Sequence, residues 1–125
     1  MQLLVDTCIL YDWLMGEIGD RHAIEVIETQ GAYVSPVSIW ELVIKHQLGK
    51  LALPSSDLAD DIAAQGFSWL NVTPQHAETV LRLANHHRDP FDRFLIAQAS
   101  YEDMRIATYD KVFGLYSPEV FLVKK

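Results

Sequence analysis

Leu3-Leu4-Val5-Asp6 near the beginning of the chain and Arg105-Ile106-Ala107-Thr108-Tyr109-Asp110 toward its end decide the fold. Each holds a short apolar run followed closely by an acid. So short an apolar run is a compact strand candidate. Working outward, Leu10, Trp13 and Leu14 recur at helical spacing until Gly16 and Gly19 stop them. Asp20 caps a helix that stops before Gly31, and Ala32-Tyr33-Val34 reads as a second strand. A helix starts at Ser35-Pro36 or at Ser38 and stops at Gly49, a residue suited to the position after a helix end. Pro54-Ser55-Ser56 opens a short helix closed by Gly66, and 67–72 reads as a third strand. Thr73-Pro74 and Asp89-Pro90 each pair a cap with a proline at the first helical position. The first helix should bury a stripe of Ala77, Val80, Leu81 and Ala84; the second should turn Leu95, Ile96 and Ala99 inward. Val120-Phe121-Leu122 is the last strand. Strands alternating with helices imply an α/β fold, a three-layer α/β/α domain over 1–125 with a central parallel sheet of about four or five strands.

Of the 125 residues 50% are hydrophobic and 22% charged, a globular rather than a disordered composition. No apolar run approaches the roughly 20 residues a bilayer demands, so no membrane partner is expected. The Met1-Gln2-Leu3-Leu4-Val5 run lacks the basic flank of a secretory leader. Cys8 is the single cysteine, which excludes an internal disulfide and a multi-cysteine zinc site and fits a reducing, cytoplasmic setting. Ten Lys and Arg against seventeen Asp and Glu leave a net charge of −7. That argues against blanket neutralisation of duplex nucleic acid, but not against an enzyme meeting phosphates through a bound cation.

Where the acids fall is therefore decisive. In open parallel sheets the ligand crevice lies beyond the carboxyl ends of the strands. Asp6 follows the first strand directly, and Asp110 lies two residues past the Ile106-Ala107-Thr108 run. Glu41 sits early in the helix after the second strand, and Asp92 in the first turn of the helix opened by Asp89-Pro90. Carboxylates crowded together cannot all ionise without compensation. A hard divalent cation with oxygen ligands, Mg²⁺ or Mn²⁺, compensates them most simply and suits phosphodiester hydrolysis. Each acid also has a local structural use. Asp6 and Asp89 can cap helices, Ser38-Ile39-Trp40-Glu41 spells a capping box, and Glu41 can pair with Lys45. Asp92 complements a helix dipole, and Asp110 suits a turn. Only their shared edge raises them above these uses.

Taken in order, Leu3-Leu4-Val5-Asp6-Thr7, Val34-Ser35-Pro36-Val37-Ser38-Ile39-Trp40-Glu41-Leu42, His87-Arg88-Asp89-Pro90-Phe91-Asp92-Arg93-Phe94-Leu95-Ile96-Ala97-Gln98-Ala99 and Ala107-Thr108-Tyr109-Asp110 resemble the PIN-domain ribonuclease family. Within that family the chain is most similar to the VapC-type toxins of bacterial toxin–antitoxin pairs. The resemblance implies that Asp6, Glu41 and Asp92 are the acidic metal-site residues, with Asp110 as a more variable fourth acid. Thr7 and Ser38 match small hydroxyl positions near the site, and Asp89 is a supporting residue or simply a cap. It further implies an RNA substrate, a cognate small antitoxin and a homodimer. Cys8 departs from the pattern, because relatives often carry histidine there. It is expected to be a small buried residue rather than a nucleophile.

The expected activity is a Mg²⁺- or Mn²⁺-dependent endoribonuclease with Asp6, Glu41, Asp92 and Asp110 at the metal. Lys45, His46, Lys50, Arg88 and Arg93 are candidates for steering the RNA backbone. The His86-His87 pair lacks the spacing of a helical zinc pair. Trp13, Trp40 and Trp69 suit core or dimer packing better than base stacking. Two rivals remain. A phosphotransfer protein using Asp6 would want a second acid at position 8, where Cys8 stands, and a late lysine, for which only Lys111 is near. A catalytically silent PIN-like module would have little need of the complete set of acids.

Overall fold

The computed structural model describes residues 1–116 and 118–125. Strand β1 (Leu3–Val5) leads into helix α1 (Thr7–Leu14) and helix α2 (Arg21–Gln30). Strand β2 (Tyr33–Val34), α3 (Pro36–Gln47), α4 (Leu58–Ala64) and strand β3 (Ser68–Trp69) follow. Helix α5 (Pro74–Thr79) tightens into a 3₁₀ turn over Val80–Arg82, and α6 (Pro90–Glu102) leads to β4 (Arg105–Thr108). A second 3₁₀ turn (Lys111–Leu115) precedes β5 (Val120–Leu122). All the strand pairs are parallel, in the order β3-β2-β1-β4-β5.

Side-chain alternation along the strands divides the core in two. Leu3, Val5, Val34, Ala107 and Phe121 pack with Ile9, Leu10, Ala23, Ile27, Leu42, Leu58 and Ile62, so α1 to α4 cover one face. Leu4 and Ile106 pack with Leu95, Ile96, Ala99, Met104 and Phe113, so α6 and the second 3₁₀ turn cover the other. The expected three-layer α/β/α arrangement with a parallel sheet is what the chain adopts. The β1 and β4 runs are buried from both sides, which is why neither alternates with polar residues. Gly49 takes φ 75° just past α3, where a residue with a Cβ would be strained.

Three local expectations need correction. Strand β3 is only Ser68–Trp69, not 67–72, because its pairing with β2 ends where the two-residue β2 ends. Helix α3 is capped by Ser35, whose hydroxyl accepts the Val37 N–H, so Ser38 and Glu41 form no capping box. The expected stripe of Ala77, Val80, Leu81 and Ala84 is not buried: the α-helix ends at Thr79, Leu81 is 90% exposed, Ala77 and Ala84 are exposed, and Val80 is half-buried. The cause is a polar anchor. Thr73 and His76 form a reciprocal capping box, and the fully buried His76 ring bonds Glu102 through Nε2 at 2.7 Å. Its Nδ1 receives the Thr73 N–H at 3.1 Å, with the Gln98 amide 3.3 Å away. Seating His76 and Thr79 inward turns the apolar positions of this short helix to solvent.

Candidate active site

The sheet order places β1 and β4 side by side, with β2 and β3 on one flank and β5 on the other. The chain reverses its direction of winding between them, the place where open parallel sheets put a ligand site, beyond the carboxyl ends of the strands. Asp6 leaves β1 at that point. It caps α1, its Oδ1 accepting the Ile9 N–H at 2.9 Å, and its Oδ2 accepts the Thr108 hydroxyl at 2.6 Å. Thr108 Oγ1 accepts the Asp110 N–H at 3.0 Å, so one buried hydroxyl at the end of β4 couples two acids. Asp110 caps the second 3₁₀ turn through Val112 and meets Nε2 of His87 with Oδ2 at 3.0 Å.

Glu41 arrives from the second turn of α3, buried, with Oε2 2.6 Å from Lys45 Nζ. Its Oε1 is buried and has no hydrogen-bond partner among the described residues. Three residues earlier on α3 the Thr7 hydroxyl donates to Ser38 Oγ at 2.9 Å, joining α1 to α3. Asp92 arrives from the first turn of α6, which Asp89 caps by accepting the Phe91 and Asp92 N–H groups. Asp92 Oδ2 lies 3.1 Å from His87 Nε2. Ligand-type atoms of His87, Asp92 and Asp110 fall within 4.8 Å of one another, the one such group among the described residues; Asp6 and Glu41 stand outside that triad.

Electrostatic coupling nevertheless joins the four acids. Burial pushes the Asp92 carboxyl up to about 7; the charges of Asp89, Asp6 and Glu41 add to the shift, and His87 partly opposes it. Burial raises Asp6 to about 6, against the hydrogen bonds from Thr108 and Ile9, with further repulsion from Glu41 and Asp110. Such a set of hard oxygen donors, including one buried and unpartnered, fits a divalent cation.

Cys8 is exposed rather than buried, since Thr7, Ile9 and Leu10 take the inner face of α1. Its thiol is pushed up to about 11 by desolvation and by Asp6, which disfavours the nucleophilic thiolate. Trp40 is 61% exposed, meeting Phe91 edge-on at 5.2 Å. Trp13 packs on Phe67 and Trp69 joins the core beside the α1–α4 layer. Arg93 is engaged with Ala84 O at 2.9 Å and with His87 O at 3.4 Å, while Arg88 and Lys50 are exposed. His46 Nδ1 lies 2.9 Å from Leu51 O. Reasoning from sequence missed His87 and Thr108. Thr108 was visible as the polar end of an apolar strand two residues before an acid. His87 opened the run up to Ala99 that carries the resemblance, but its relation to Asp110 is purely spatial and gave it no role in advance.

The PIN domain family matches residues 3–117, and the chain belongs to that family. Its fold is similar to that of VapBC2 from Rickettsia felis, solved bound to a DNA fragment from the promoter: TM-score 0.75 and 12% identity over 99% of this chain and 100% of that one. A toxin–antitoxin complex from Klebsiella pneumoniae gives TM-score 0.65 and 20% identity, covering 96% of each chain. FitAcB from Neisseria gonorrhoeae gives 0.67 and 17%, again covering 96% of each. At these identities the likeness is one of fold. No curated protein matches the sequence. PIN domains are generally nucleases. Among the described residues no helix is long and apolar enough to cross a membrane.

Proposed function

We propose that the chain is a divalent-metal-dependent endoribonuclease and the toxin of a VapBC-type toxin–antitoxin pair, acting in the cytoplasm. The observation that carries this reading is the chain of contacts at the winding reversal of the sheet: Thr108 joins Asp6 to Asp110, His87 Nε2 joins Asp110 to Asp92, and Glu41 brings a buried, unpartnered carboxylate oxygen. Asp6, Glu41, Asp92 and Asp110 would hold Mg²⁺ or Mn²⁺. Such an ion supplies polarisation of a scissile phosphate and a bound water of lowered pKa. The chain's own groups do the rest. Thr108 fixes Asp6 relative to Asp110, the Thr7–Ser38 bond fixes α1 against α3, and Asp89 fixes the first turn of α6. Lys45 shares Glu41, and with Arg88 it offers positive charge to an RNA backbone approaching an otherwise acidic surface.

A fluorogenic RNA incubated with Mn²⁺ or Mg²⁺ is expected to be cut, and excess chelator is expected to stop the cutting. Cutting that survives chelation, or none with either ion, overturns the reading. Crowded carboxylates at a crevice are also a natural socket for an arginine of an inhibitory antitoxin peptide. Co-expression with the neighbouring gene's product should yield a stable complex with suppressed cutting; full activity in its presence removes that partner.

Leu81, 90% exposed on the 3₁₀ turn that follows α5, supports the homodimer. Leu81→Asp protein is expected to shift light-scattering mass from two chains to one at micromolar concentration. A wild-type protein already monomeric there, or a dimer unmoved by the charge, contradicts this assignment.

A further inference from the structure

His87 is restrained on every side, unlike a surface histidine on a loop. Its main-chain N–H donates to the Tyr116 hydroxyl at 2.8 Å, and the neighbouring His86 N–H does the same at 2.9 Å. Its carbonyl accepts from Arg93 Nη1 at 3.4 Å. The ring stands edge-on to buried Phe113 at 5.6 Å, a residue of the 3₁₀ turn that Asp110 caps. The loop before α6 is thereby fastened to the segment that carries Asp110.

The ring nitrogens then have unequal roles. Nδ1 accepts the Asp89 N–H at 3.2 Å, so in the neutral ring the proton sits on Nε2. Nε2 is hydrogen-bonded to Asp110 Oδ2 at 3.0 Å and lies 3.1 Å from Asp92 Oδ2. Binding a cation directly through Nε2 would move that proton to Nδ1, head-on against the Asp89 N–H. Asp89 cannot easily turn away, because it caps α6. The environment therefore makes His87 a donor to carboxylates rather than a ligand.

We propose that His87 is a positioning residue: its Nε2–H, oriented by the Asp89 N–H on the opposite nitrogen, holds the carboxylates of Asp92 and Asp110 together for a shared divalent cation. This rests on the reading that these acids bind such a cation. Partners that orient metal-binding groups typically alter metal affinity by about 10–100-fold when removed.

The test titrates Mn²⁺ alone into wild-type, His87→Ala and His87→Gln proteins, with free ion counted by electron paramagnetic resonance. His87→Ala is expected to bind Mn²⁺ at least about 10-fold more weakly. His87→Gln, whose amide N–H can reach the same acids, is expected to recover most of that loss. In wild-type protein with ¹⁵N-labelled histidine, the bound Mn²⁺ is expected to show no directly coordinated nitrogen. Unchanged affinity in His87→Ala, no recovery with glutamine, or a coordinated imidazole signal overturns the proposal. If the alanine protein does not fold, the glutamine protein and the wild-type nitrogen signature decide alone. Wild-type protein that binds no Mn²⁺ overturns the ribonuclease reading as well. Wild-type binding with an unaffected alanine variant overturns only the role of His87.

Discussion

Asp92→Asn protein is expected to cut RNA at least about 10³-fold more slowly than wild type, and yet to melt at a higher temperature when stripped of metal. Both effects follow from one arrangement. Asp92 stands in the first turn of α6 near Asp6, Asp89 and Glu41, and its carboxyl is raised to about 7. At pH 8 it is ionised at the cost of repulsion and lost hydration. The amide removes that charge while keeping an oxygen for the His87 N–H, so the metal-free fold should gain on the order of 2 kcal/mol, about half of what the full shift would give, because water still reaches Asp92. For a domain of this size that is a rise of roughly 5 °C or more. The same substitution removes an anionic ligand, and a 10³-fold loss corresponds to about 4 kcal/mol of transition-state stabilisation. Thermal melts with chelator and cutting rates with Mn²⁺ check the two halves. A variant that cuts normally would mean the activity lies elsewhere; one that melts lower would mean Asp92 is not under electrostatic stress.

The stability of the metal-free protein should fall as pH rises from about 4 to about 7. Asp6 and Asp92 have folded-state values of about 6 and about 7, against 3.8 for the ordinary group. Between those limits the native protein keeps protons that the unfolded chain releases, so raising the pH favours unfolding. Above pH 7 both states are ionised and the loss is complete. The two carboxyls repel each other's charge, so their combined loss is on the order of 3 kcal/mol rather than a simple sum of two shifts. Saturating Mn²⁺ should restore more stability at pH 7.5 than at pH 5, since it binds the ionised acids. Denaturant melts at several pH values test this, with Asp92→Asn showing a shallower decline. A metal-free stability that climbs through this window would contradict the crowding of the acids.

The same physics explains what could be read from the chain in advance. β1 and β4 were legible because strands buried on both faces leave uninterrupted apolar runs, and α6 because Asp89-Pro90 fixes its start chemically. Asp6 and Asp110 could be placed at one edge because parallel topology determines where strand ends meet. Leu81 escapes the periodicity because helical spacing assumes that apolar residues choose the buried face. On α5 the polar network of His76, Thr73 and Glu102 chose it instead. Ser38 and Glu41 matched a capping box that Ser35-Pro36 pre-empted three residues earlier. Cys8 turns outward because its neighbours Thr7, Ile9 and Leu10 fill the inner face of α1, which the lack of a partnering base in the sequence does not reveal. His87 belongs to a category that periodicity and caps do not reach: its partners Asp110, Phe113 and Tyr116 lie far along the chain and meet it only in the fold.

Anomalous diffraction from crystals of the wild-type protein grown with Mn²⁺ at about pH 8 puts the account to its most direct trial. A manganese peak bonded to carboxylate oxygens drawn from Asp6, Glu41, Asp92 and Asp110, with the His87 ring beside but not bonded to it, is the predicted result. Saturating manganese with no peak among those carboxylates would contradict it.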